Sequence, residues 1–172
     1  MNKYSKISIV AIIAIIIPFA YSALNIYAAQ HLHYRWGDLN RFSYFDLSNN
    51  GNVEFCNAMP YWMNIQKFEI VTFYDSRNTG TFTVPPFVIN PSSYTIQKGT
   101  FRSDDYTESQ YLFMNLDFEF SGGGEIRVDP NKMYMLVNVY TPIIGVIPYT
   151  TTVQYTGFDL YNIMNDINSE CN

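Results

Sequence analysis

One long apolar segment limits what this chain can become. Residues 7–29, ISIVAIIAIIIPFAYSALNIYAA, carry no charged side chain, and their only interruptions are Ser8, Ser22 and Asn25. As a helix rising ~1.5 Å per residue, such a run is long enough to cross a hydrocarbon core of roughly 30 Å. The same residues follow the grammar of a cleaved signal peptide. Lys3 and Lys6 supply a basic start, residues 7–17 an apolar core, Pro18 a helix breaker, and Ala20-Tyr21-Ser22 a small-x-small site. Retention as an anchor is favoured by the apolar character that continues past Ser22 to Ala29. Both readings export the remainder of the chain. Charge alone does not set the orientation, because Arg35 and Arg41, partly offset by Asp38, oppose Lys3 and Lys6. The signal-like layout places residues 1–6 in the cytoplasm and the rest outside, as a single-pass protein of the cell membrane.

Residues 30–41, beginning QHLHYRWGDLN, read as a juxtamembrane connector, with Tyr34 and Trp36 as candidate membrane-interface residues whose rings suit the headgroup level. The competing reading packs Trp36 on the domain. Residues 42–172 are of a size usual for one extracytoplasmic domain with its own core. The chain has a formal charge of −5 and no cluster of Lys or Arg beyond Lys6, which excludes a phosphate-tracking surface and makes nucleic acid an unsuitable partner. Its 17% aromatic content suits pleated sheet rather than disorder. Cys56 and Cys171 lack metal-type spacing; on an oxidising exterior they are candidates for one disulfide tying the C-terminal tail to the sheet, the alternative being two separate thiols. N-glycosylation is not expected, because Asn90-Pro91-Ser92 is excluded by its proline.

Turn residues and alternating hydrophobics then predict strands. Residues 42–47 and 53–57 flank Asn50-Gly51, a hairpin signal. Residues 62–74 form a long extended run, followed by a turn over 75–80 and a strand over 81–84. Prolines 85, 86 and 91 confine residues 87–89 to a sheet edge, and a short strand is expected over 94–97. Residues 111–121 show the clearest alternation, with Leu112, Met114, Leu116, Phe118 and Phe120 on one face and Asn115, Asp117 and Glu119 on the other. Read so, Tyr111 and Phe113 make the second face apolar at one end, a candidate contact surface. Residues 125–128, 133–141 and 143–156 continue as strands, and a 3/4 spacing over 158–168 predicts a short closing helix. The sum is a mainly β chain: an antiparallel β-sandwich behind one transmembrane helix, with a short C-terminal helix.

Catalytic signatures are absent: the sequence has no G-x-S-x-G, H-E-x-x-H, phosphate loop or dinucleotide fingerprint. Gly122-Gly123-Gly124 leads into a predicted strand, so it lacks the helix N-terminus that would attract phosphate. His31-x-His33 offers two metal ligands with no third in view, and Asn115, Asp117 and Glu119 fall short of the six to eight oxygens that calcium takes. The reading is of a protein without metal, cofactor or enzymatic activity.

Several segments resemble the order of elements in the WHy-type domains of late embryogenesis abundant group 2 proteins. They are Phe55-Cys56-Asn57-Ala58-Met59-Pro60, residues 67–75 (KFEIVTFYD), Gly80-Thr81-Phe82, Asn90-Pro91-Ser92-Ser93 and residues 140–149 (YTPIIGVIPY), within a match covering roughly residues 42–157. The family's usual Asn-Pro pair is represented by Asn57 with Pro60 three places later. The resemblance implies a fibronectin-III-like or immunoglobulin-like sandwich, frequently behind a membrane helix, without catalytic residues and tied to stress protection or lipid contact. The expected function is a membrane-anchored extracytoplasmic module with a structural, binding or envelope-protective role. It meets the bilayer through its helix and offers a surface to a protein partner. Two alternatives stand beside it. Residues 9–13 and 17–21 look like pieces of a type IV pilin helix, although no Gly precedes the run and no Glu sits near its start. An accessory subunit of a membrane complex would use Tyr111 and Phe113 as contacts.

Overall fold

The computed structural model describes residues 3–38, 40–123 and 128–166. It opens on α1 (Lys3–Gln30), in which nothing charged follows Lys6 and Pro18 lies inside the helix. Proline removes one backbone donor from the ladder. One turn later, the Ser22 hydroxyl donates to the Pro18 carbonyl at 2.8 Å. One span, Ile7–Gln30, is long and apolar enough to cross a membrane, with a mean hydropathy of 2.5.

The remainder is mainly antiparallel β. A three-stranded sheet has the order β1 (His33–Trp36), β2 (Asn52–Asn57), β7 (Ser93–Lys98). A two-stranded sheet pairs β3 (Met63–Ile65) with β6 (Phe87–Ile89). The largest sheet contains β4 (Lys67–Tyr74), β5 (Arg77–Val84), β8 (Thr100–Arg102), β9 (Met133–Ile143) and β10 (Ile147–Thr156), in the order β10-β9-β4-β5-β8. The expected β4–β5 hairpin is present. Its turn is Asp75-Ser76, both at positive φ (49° and 67°), as the right-handed twist of a two-residue hairpin requires. Gly80 is needed for a different reason, since a Cβ there would lie 2.1 Å from the Phe101 ring.

Phe68, Ile70, Phe82, Val84, Met135 and Val137 alternate onto the inner face of the large sheet. The three-stranded sheet packs over them through Phe55, whose ring lies 4.9 Å from Phe68, and through Trp36, 6.4 Å from Phe82. Helices complete the cover: α2 (Tyr44–Ser48), α3 (Tyr106–Phe120) and α4 (Gly157–Met164). Of these, α4 is the short C-terminal helix that the 3/4 spacing predicts. Residues 167–172, including the last two of the predicted helix and Cys171, lie outside the described residues, as do 124–127, which include the first three residues of the strand predicted over 125–128.

Three expectations require correction. Residues 111–120 belong to a helix, because the apolar set also contains the 3.6-residue stripe Leu112, Phe113, Leu116, with Ser109 before it and Phe120 after it. Its start is fixed by Asp105, whose side chain accepts from the Glu108 N–H at 2.9 Å, an N-cap that outweighs the alternation. Residues 42–47 are not a strand either. Ser43 caps α2 by accepting from the Asp46 N–H at 3.0 Å, so Asn50, at φ 67°, leads from a helix into β2 rather than closing a hairpin. Finally, the run over 62–74 is broken at Gln66, whose N–H bonds to the Tyr140 carbonyl, so β3 and β4 join different sheets.

Candidate functional site

Helix and domain meet without a linker. The last two turns of α1 are part of the core: Ser22, Asn25, Ala28 and Ala29 are buried, whereas the residues from Ile7 to Ile17 are exposed on every side of the helix. Asn25 completes an unpaired strand edge. Its amide nitrogen donates to the Asn64 carbonyl at 3.0 Å and its oxygen accepts from the Asn64 N–H at 2.7 Å, so one side chain satisfies both backbone groups that β3 turns away from β6. Ser22 Oγ, in turn, accepts from the Ile144 N–H at 2.7 Å. Asn25→Ala strands a part-buried donor and a part-buried acceptor on Asn64. A loss of about 2–4 kcal/mol in unfolding free energy is expected, measured by urea titration in detergent, with Asn25→Gln no rescue because its longer stem misplaces the amide.

This docking changes the meaning of residues 30–41. His33–Trp36 is a strand of the domain, in register with β2 from His33↔Cys56 to Trp36↔Val53. Trp36 is buried against Phe42, and the half-buried Tyr34 ring lies edge-on to Phe68 at 5.1 Å. Neither is available to headgroups, because cross-strand pairing turns both rings toward the core. Burial and the neighbouring Tyr155 push the Tyr34 phenol well above its ordinary value. The two histidines do not converge. His31 Nδ1 lies 2.8 Å from the Tyr27 carbonyl on α1, while His33 is exposed on β1. Among the described residues no group of three His, Cys, Asp or Glu is placed to hold a metal ion.

The predicted contact pair also separates. Phe113 is fully buried, 5.6 Å from Phe101 and 5.9 Å from Tyr44, and only Tyr111 faces out. The exposed apolar stripe of α3 is Tyr111, Met114 and Phe118, a set visible only in helical register. Asn115, Asp117 and Glu119 likewise do not share one face: Asn115 bonds the Tyr111 carbonyl, and in the helix Asp117 turns away from residues 115 and 119 to α2, accepting from the Tyr44 and Phe45 N–H groups at 2.8 Å each. Burial raises the Asp117 carboxyl from 3.8 to about 6 despite those two hydrogen bonds, with nearby Asp46 adding to the rise. Cys56 is buried and disulfide-bonded, and Cys171 lies outside the described residues.

No protein-family profile matches the sequence, and no curated protein does. Among solved structures, the chain is similar to the crystal structure of a protein from Archaeoglobus fulgidus. The identity is 9%, the match covers 73% of this chain and 94% of that one, and the TM-score is 0.34.

Two clefts remain to be read as chemistry. One, of about 530 Å³, opens between the β4–β5 turn and the start of α3, with Asp75, Asp104, Glu108 and Arg77 at its wall. Ser109 is the hydroxyl nearest to a nucleophile there. It is buried, its oxygen lies 2.5 Å from the Thr79 carbonyl and 2.7 Å from Ser103 Oγ, and no histidine is among the described residues of the wall. The other cleft, of about 500 Å³, is lined by the Arg35–Glu54 ion pair (2.6 Å), Arg41 over the Tyr161 ring (5.2 Å) and Asn165. Each of these groups already has a structural partner. The distinctive surface is therefore the exposed helix and the end of the domain fastened to it.

Proposed function

We propose that this chain is a membrane-anchored extracytoplasmic β-domain, of the fibronectin-III-like or immunoglobulin-like sandwich kind, with a structural, binding or envelope-protective role and no catalysis of its own. The observation that carries the reading is the continuity of α1, whose bare apolar turns run straight into buried turns held by Asn25 and Ser22. A helix apolar all round and exposed to water over several turns is unstable in isolation; lipid removes that cost. Retention as an anchor is favoured over cleavage, since Ser22, at the candidate cleavage site, is helical and bonded on both sides. The extracytoplasmic side is supported by the disulfide at Cys56, a bond that persists in oxidising compartments. The WHy-type resemblance agrees with this reading in its anchor and its lack of catalytic residues.

Alkaline carbonate extraction of membranes, followed by mass spectrometry of the mature N-terminus, tests it. The expected result is a pelleted protein that retains residues 7–22. Release into the wash, or a mature chain beginning next to Ser22, overturns the anchor. A cut near Lys6 with the protein in filaments favours the pilin-like alternative. The accessory-subunit reading has its own support in the α3 stripe of Tyr111, Met114 and Phe118, three exposed apolar side chains on one helix face. Co-purification in mild detergent that is lost in Phe118→Glu would establish it.

A further inference from the structure

The β9–β10 turn lies at the end of the domain that is fastened to α1. Ser22 fixes its position, because the Ile144 N–H donates to that hydroxyl and so holds the β9–β10 turn beside the helix. From Ile7 to Ser22 a helix rises ~24 Å, and from Lys3 ~30 Å, so filling a hydrocarbon core of roughly 30 Å brings Ser22 to the outer boundary. The turn arrives there with it.

Its composition is wrong for water. Residues 142–148 read PIIGVIP, without one polar or charged side chain. Val146 is 79% exposed and Ile147 53%, and Ile144 is exposed at the apex. The bend is closed by the Val146 N–H to the Ile143 carbonyl at 3.2 Å, and it places Ile144 at φ 54° and Gly145 at φ 77°. A β-branched residue in the left-handed region is uncommon, the position ordinarily going to Asn, Asp or Gly. Elsewhere in the same sheet, the β4–β5 turn is Asp75-Ser76, the polar pair that water selects. The two turns of one sheet therefore differ in the solvent they suit.

A tryptophan stands on the same side of the domain. Trp62 is 56% exposed two residues before Asn64, which Asn25 holds one turn beyond Ser22. Indole rings favour the headgroup level.

We infer that Ile144, Val146 and Ile147 dip into the acyl–headgroup boundary of the membrane that α1 crosses, with Trp62 at headgroup depth, so that the domain rests on the bilayer at two points. This rests on the anchor reading. A stalk alone permits tilting; a second contact beside it sets the domain's angle to the membrane.

The full chain, reconstituted in phosphatidylcholine–phosphatidylglycerol vesicles, tests this with an environment-sensitive fluorophore on one added cysteine at a time: Ile12→Cys, Val146→Cys or Ser76→Cys. Quenching is read with lipids spin-labelled at shallow and deep acyl positions. The expected pattern is deep quenching at position 12, shallow quenching with a blue-shifted emission at 146, and none at 76. Quenching at 12 without quenching at 146 overturns the inference and leaves the anchor standing, including the case in which 146 is blue-shifted by a protein neighbour. Absence of quenching at 12 overturns the anchor and the inference together. In the same vesicles Val146→Asp with Ile147→Asp should abolish the shallow contact of a label at Ile144→Cys while leaving position 12 quenched.

Discussion

Phe113→Ala is expected to lower the stability of the domain by about 3–5 kcal/mol, the usual cost of emptying a buried aromatic site, whereas Tyr111→Ala should stay within about 0.5 kcal/mol. The pair is two residues apart in sequence and opposite in environment. Phe113 is fully buried between Tyr44 of α2 and Phe101 of β8, and Tyr111 is 55% exposed on the outer side of α3. Chemical denaturation followed by tyrosine and tryptophan fluorescence reads the difference. In a strand, residues 111 and 113 would share a face and respond alike. Equal responses would therefore overturn both the helix and the placement of its inner stripe. A supporting substitution, Asp105→Ala, removes the acceptor for the Glu108 N–H and should cost about 1 kcal/mol.

The second large effect is a pH dependence carried by Asp117. Its carboxyl titrates near 6 in the folded protein against 3.8 for the free group, chiefly because α3 and α2 enclose it. The native state thus holds this proton more tightly than the unfolded chain does. Its favourable contribution is complete below pH ~4 and is lost as pH rises through ~6, amounting to about 2–3 kcal/mol at ~1.4 kcal/mol per pKa unit. Comparing the wild type with Asp117→Asn isolates this from the other carboxylates. The stability difference between them should shift in favour of the wild type by that amount as pH falls from ~8 to ~4. A difference independent of pH would show that the carboxylate is already well solvated. At neutral pH the contribution of Asp117 is geometric, since both oxygens accept N–H groups at the start of α2 that would otherwise be orphaned.

Much of the sheet was readable because turn chemistry and alternation agree there. Residues 67–74 alternate, Asp75-Ser76 turns, and β5 returns to pair Phe68 with Val84. Helix α3 was less legible for a specific reason. Apolar residues at 112, 113, 114, 116, 118 and 120 satisfy a period of 2 and a period of 3.6 together, and the deciding information lay upstream, in Asp105 and Glu108. Trp36 stood between two readings, headgroup level or packing on the domain, and the second is the one found. Pairing with Val53 across a loop and contact with Phe42 assign it to the core, and neither is encoded in the residues beside it. The docked turns of α1 were hidden, since Asn25 reads as a blemish in an apolar run until Asn64 is placed against it.

That contact has a practical consequence. The domain does not begin where the apolar run ends: Asn25 seals β3, and Ala28, Ala29 and Leu32 fill the core, all of them inside or just past that run. A soluble fragment cut at residue 30 would leave a bare strand edge beside an unfilled hollow, an invitation to edge-to-edge aggregation. A fragment for crystallisation should instead begin near Ser22 and keep the last two turns of the helix as its first structural element.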